Sequence, residues 1–175
     1  MRTLLVASAV GPDRPGLVFE LSKAVRESGC ILKDSRMVAL GSELCAQFLI
    51  EGNWSAIAKL EQSLPRAAAR LGLALTLRRT EPRSEGNPLI PYSVEVISLE
   101  RPNVVEDITE FFARRQIGIE DVFTSCYQAV QTQAPMFSVH MTIGVPSELG
   151  IATLRNEFLE LCDDLNLDAV LTAFK

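Results

Sequence analysis

Asp13-Arg14-Pro15-Gly16 stands between an apolar run, residues 4–10, and a helical stripe that begins at Leu17. Pro15 fixes φ and suits the entry to a helix. Gly16 lets the backbone turn sharply or approach another group closely. A helix starting here leaves the N–H groups of Gly16, Leu17 and Val18 unpaired at the positive end of its dipole. A carboxylate fits such a place, and the Asp13 carboxylate suits an ammonium group. The pattern reads as a cradle for a small zwitterion, with Arg14 beside it and Lys33 and Asp34 placed to contribute from a neighbouring domain. The same residues also have a purely structural use. Gly and Pro are common at strand-to-helix turns, and Asp13 can cap the helix, an interaction of about 1 kcal/mol.

Other chemistries find little support. His140 is the sole histidine and falls on the strand face opposite the core, so it reads as an interface residue and not as a base. No Ser-His-Asp arrangement, HExxH or phosphate-binding glycine loop is visible. Cys30, Cys45, Cys126 and Cys162 are scattered without metal-ligand spacing, which argues against a structural zinc site or a disulfide framework. Neither a cofactor nor a metal is expected, and the chain reads as non-enzymatic.

The turn has a second copy. Tyr92 opens a strand pattern that leads to Glu100-Arg101-Pro102-Asn103. Leu17, Val18, Leu21, Ala24 and Val25 on one side match Val104, Val105, Ile108, Phe111 and Phe112 on the other, each offset by 87. That spacing is an amphipathic helix stripe. Gly29 and Gly118 are expected to close these helices. Strands follow at 31–40 and 119–129. Alternating strands then place Leu44, Ala46, Phe48 and Ile50, and Phe137, Val139, Met141 and Ile143, on one face. A second helix starts near Asn53 with Ile57, Leu60, Leu64 and Leu71 inward, and Pro65 is expected to kink or split it. Its counterpart starts near Ser147, as cap, and buries Leu154, Phe158, Leu161 and Leu165. Last strands span 73–79 and 167–174. Each half is thus β-α-β-β-α-β, a four-stranded antiparallel sheet with both helices on one face, the ferredoxin-like α+β plan.

The expected division is a first domain at 1–80, a linker at 81–91 rich in turn formers and charge, and a second domain at 92–175. Cys45 and Leu49 alternate with the core set, so the other sheet face is semi-apolar and is expected to meet a sheet, a helix or a second copy in a homodimer. Net charge is −5, but residues 1–80 carry +4 and residues 81–175 carry −9. The acidic half argues against direct nucleic-acid binding. No apolar run approaches the ~20 residues of a membrane span, and the start does not read as a leader, so a cytoplasmic protein is expected.

Gly11-Pro12-Asp13-Arg14-Pro15-Gly16-Leu17-Val18, with Gly29-Cys30-Ile31-Leu32-Lys33-Asp34-Ser35, resembles the opening of an ACT domain. Gly41-Ser42-Glu43 and residues 48–54 narrow the match. Together they are similar to the tandem-ACT family of glycine cleavage transcriptional repressors. The resemblance covers nearly the whole chain and is weaker in the second half, where Asn103 replaces the glycine. It implies a regulator that restrains a DNA-binding transcriptional activator protein, with a small amino-acid effector such as glycine relieving the restraint. It places a ligand near the first β–α turn, often at a domain or subunit interface, and the candidate contacts are Asp13, Arg14, Gly16, Leu17, Val18, Lys33 and Asp34, with Asn103 and Val104 in the second turn. At the second turn the Asn103 side chain either meets ligand or caps its own helix, and capping is the favoured reading. The alternatives are a ligand-free scaffold acting through protein contacts and a regulatory piece of an amino-acid enzyme.

Overall fold

The computed structural model describes residues 2–83 and 88–174; the expected linker residues Ser84, Glu85, Gly86 and Asn87 lie outside the described residues. The chain divides into two compact units, residues 1–84 and 85–175. The N-terminal unit runs β1 (Arg2–Pro12), α1 (Leu17–Glu27), β2 (Ile31–Leu40), β3 (Glu43–Asn53), α2 (Trp54–Leu71) and β4 (Ala74–Thr80). The C-terminal unit runs β5 (Leu89–Leu99), α3 (Val104–Arg114), β6 (Gly118–Gln128), β7 (Pro135–Pro146), α4 (Ile151–Asp164) and β8 (Asp168–Ala173). The sheet orders, β2-β3-β1-β4 and β6-β7-β5-β8, are the same plan twice, and every pairing is antiparallel. This is the ferredoxin-like architecture that the repeat implies.

Alternation along the strands decides which face is covered. In the N-terminal unit Leu5, Ala7, Ala9, Leu44, Ala46, Phe48 and Ile50 pack against Leu17, Leu21, Val25, Ile57, Leu60 and Leu64 of the helices. In the C-terminal unit Val94, Val96, Val139, Met141 and Ile143 pack against Val104, Ile108, Phe112, Leu154 and Phe158. Each large side chain removed from water contributes about 1.5–3 kcal/mol, so each unit carries its own core. The helix-free faces are partly apolar. Val6, Val10 and Val38 are exposed on one beside half-buried Cys45 and Leu49, and Ile97, Leu99, Phe123, Tyr127 and Val170 are exposed on the other. His140 lies on that second face, 6.3 Å from the Phe123 ring centre.

The helix layers differ because their contact residues differ. In the N-terminal unit the Ser28 and Ser63 hydroxyls meet at 3.1 Å, and Lys59 Nζ donates to the Glu27 carbonyl at 2.7 Å. Small contact residues let helix axes approach. In the C-terminal unit the rings of Phe111, Phe112 and Phe158 stand 5.2–5.4 Å apart, centre to centre, and wedge α3 from α4.

Several local expectations are corrected. Pro65 does not split its helix; α2 is continuous from Trp54 to Leu71. Pro65 sits on the exposed side while Leu64, Ala67 and Ala68 are buried around it, and that burial offsets the ~3 kcal/mol a helix proline costs. Gly118 does not close α3 but opens β6; the left-handed residue there is Gln116, φ 56°, which lies 87 residues after Gly29, φ 78°. Ser147 is not a cap, since α4 starts three residues past the expected turn with Gly150 in the capping position. Asn53 does cap α2, accepting from Ala56 N–H at 2.8 Å. β5 begins at Leu89, so the strand takes in residues expected in the linker. Leu161 and Leu165 are only half-buried, and Cys162 takes the buried position between them.

Candidate functional site

The two strand-to-helix turns share two of their backbone hydrogen bonds. Asp13 N–H donates to the Ser42 carbonyl at 2.8 Å, and Glu100 N–H donates to the Pro135 carbonyl at 2.9 Å. In each unit this ties the first turn residue to the hairpin between the second and third strands. Gly16 carries φ 95°, ψ −14°, and Asn103 carries φ 72°, ψ 0°. Both are in the left-handed region, where glycine is free of strain and asparagine is among the few other residues tolerated. This explains the exchange of Gly for Asn in the second copy. Each residue's carbonyl then accepts the first helical bond, from Glu20 and Asp107 N–H, both at 2.9 Å.

Neither side-chain capping expectation holds. Gly16 occupies the capping position of α1, so Asp13 lies three residues too early, and no side chain caps the helix. Asn103 occupies the capping position of α3 without a side-chain cap bond. Its left-handed backbone departs from the extended conformation that capping side chains require. Leu17 N–H reaches back to the Arg14 carbonyl at 3.4 Å. Among the described residues, the N–H groups of Val18 and Phe19, and of Val104, Val105 and Glu106, have no backbone acceptor. The open donors of the first turn therefore include Phe19, one residue past the expected set.

The expected site residues divide sharply. Asp13, Arg14 and Gly16 are exposed at the first turn, and among the described residues no hydrogen bond or ion pair engages the side chains of Asp13 or Arg14. Leu17 and Val104 point into the cores and can offer only backbone. The Val18 side chain is exposed, not part of the buried stripe, which narrows to Leu17, Leu21 and Val25. Lys33 and Asp34 are not brought to this turn within the unit. Asp34 pairs with Leu49 in register, six residues of β3 beyond Glu43 at the turn end, or roughly 20 Å of strand. Lys33 is the extra residue of a β-bulge, and Glu120 is its counterpart in β6. Asp34 is engaged by Arg36 and by the Ser35 N–H at 2.8 Å.

Electrostatics separate the two turns. An open depression of about 530 Å³ at the second turn is lined by Arg101, Asn103, Val104, Val105, Glu106, Thr109 and Phe137. There Arg101 is held by Asp107 at 3.3 Å, and the first helical turn carries both Glu106 and Asp107. At the first turn Arg14 has no such partner among the described residues, and α1 carries only Glu20 in its first turn. Since acidic groups at a helix start already draw on its positive end, an incoming carboxylate meets less competition at Gly16. The Arg101–Asp107 pair is a contact at the second turn that the sequence reading missed; the spacing of six residues across an undetermined turn gives no signal for it.

Residues 3–78 match the ACT domain family model. A relative from Escherichia coli K12, the glycine cleavage system transcriptional repressor, is 32% identical over 164 residues, covering 93% of this chain and 85% of the relative. The chain belongs to this ACT-domain repressor family. The Shigella flexneri repressor matches to the same extent. A crystal structure assigned to a glycine cleavage system transcriptional repressor superimposes over 100% of this chain and 99% of its own, with TM-score 0.76 and 31% identity. A protein of unknown function from Galdieria sulphuraria shares the fold over both full chains, with TM-score 0.79 and 21% identity. The repeat identified from the residues is therefore a tandem of ACT units, and the chain is a regulatory protein by family. Among the described residues no helix is long and apolar enough to cross a membrane.

Proposed function

We propose that this chain is a non-enzymatic sensor of a small amino acid, with glycine the effector that the family suggests, and that it controls glycine cleavage genes by binding a DNA-binding activator. The observation that carries the reading is the first turn. A left-handed Gly16 opens α1 with the Val18 and Phe19 N–H groups lacking a backbone acceptor, beside an Asp13 and Arg14 without a partner among the described residues. The N–H groups and Arg14 suit a carboxylate, and Asp13 suits an ammonium group. The second turn repeats the backbone but spends its arginine on Asp107, which favours the first turn as the sensing site.

The mechanism is thermodynamic linkage. Effector binding favours one state of the protein, the activator binds the other, and a coupling of ~1–3 kcal/mol gives an observable switch. Isothermal calorimetry with millimolar glycine, alanine and serine tests the sensing step. Heat that saturates for glycine and weakens in Asp13→Asn supports it. No heat for any amino acid removes the sensing claim and leaves a scaffold that regulates by protein contact alone.

A further inference from the structure

Resting on the reading that this chain acts through a protein partner, we propose that the groove between α3 and α4 docks a cationic amphipathic segment of that partner. The aromatic wedge of Phe111, Phe112 and Phe158 holds the two helices apart and leaves a cleft of about 450 Å³. Half-buried Leu161 and Leu165 give it apolar surface beside buried Phe111, and Asp107, Glu110, Glu157, Glu160 and Asp164 give it five carboxylates against Arg114 and Arg115. Both arginines are already engaged, Arg114 by Glu110 and Arg115 by Glu157 at 2.6 Å. Glu160 and Asp164 have no hydrogen-bond or ion-pair partner among the described residues.

The groove already shows how it treats a cation. The Arg115 guanidinium lies 3.7 Å over the centre of the Phe111 ring, bonds to Glu157 through two nitrogens and donates to the Phe111 carbonyl at 3.1 Å. An aromatic face and a carboxylate together are a receptor for guanidinium or ammonium. One such position is filled by the chain itself. The remaining carboxylates, one and two helical turns along, face the same apolar strip without a cation. A segment with leucine-like and lysine- or arginine-like residues at helical spacing matches both features at once. In the N-terminal unit the corresponding helices meet through the Ser28 and Ser63 hydroxyls.

The test uses the full chain and a fluorescein-labelled helical peptide of leucine and lysine, with its leucine–glutamate analogue as the second probe. Anisotropy should show binding of the lysine peptide only. Glu160→Gln with Asp164→Asn should weaken it about fivefold, the scale of two exposed ion pairs. Glu95→Gln with Asp168→Asn removes the same charge from the helix-free sheet face and should leave binding unchanged. Hydrogen exchange should slow in α3 and α4. Equal weakening by both double variants, equal binding of both peptides, or protection confined to other elements overturns the proposal. Glycine calorimetry on the groove variant should match the unaltered chain, so failure of the groove and failure of amino-acid sensing are read separately.

Discussion

Replacing Gly16 by alanine isolates the backbone geometry of the first turn. A Cβ built there meets no atom within 4 Å, so crowding contributes nothing. What remains is conformational: φ 95° places an L-residue in the left-handed region, at a cost of about 1–2 kcal/mol. Asparagine tolerates that region better, as position 103 shows at φ 72°. Gly16→Asn should therefore cost less than Gly16→Ala. For a unit of this size each 1 kcal/mol lowers Tm by roughly 4–8 °C. Urea unfolding followed by tryptophan fluorescence reads the effect in the right place, because Trp54 is the sole tryptophan and both tyrosines, Tyr92 and Tyr127, lie in the C-terminal unit. A Gly16→Ala variant as stable as the unaltered chain, or an asparagine variant equal to the alanine one, would refute the geometric argument.

Three further outcomes follow from packing and burial. Phe158→Ala removes a fully buried ring that touches Phe111 and Phe112; it should cost ~3–5 kcal/mol, seen in the tyrosine-reported transition while the tryptophan-reported one holds. Asn53→Ala loses the acceptor for Ala56 N–H and should destabilise the N-terminal unit by about 1 kcal/mol in urea melts. Burial pushes the Cys162 thiol up from 9.0 to about 11, with Asp163 adding to the rise. Iodoacetamide at pH 8 should therefore label exposed Cys126 while sparing Cys162 until the chain unfolds, as mass spectrometry would show. The pH dependence has a definite sign. Between about 9 and 11 the unfolded thiol ionises first, so stability falls as pH rises through that window; below 9 the contribution is constant.

Repetition made most of the fold legible. One apolar stripe at 17, 21 and 25 says only that a helix is present; the same stripe 87 residues later, behind the same Arg-Pro, says that a whole unit recurs. Alternation in β3 and β7 located the core face because a sheet covered on one side repeats every two residues. The misplaced details share a cause. Helix ends depend on backbone angles that several residue types can adopt, so Gln116 stood in for a glycine and Gly150 took a place that favours Ser147 by type. Pro65 was read by its local cost, while the fold is governed by the buried residues on either side of it. At the turn, residue types did not show which part of each residue faces outward. Leu17 and Val104 belong to the cores, and the open donors lie on the backbone, which no residue letter records. Strand register sets Asp34 away from its own unit's turn, which leaves its expected part as a contribution from a neighbouring domain.

The bond from each hairpin carbonyl to the turn has a mechanical meaning. Ser42 and Pro135 sit where the chain reverses, and each holds the residue that leads into the left-handed bend. Pulling on a hairpin tip strains the bend, and a molecule seated in the bend stiffens the tip. Whatever grips these tips from outside therefore bears on the proposed amino-acid site through one hydrogen bond and the short turn that follows it.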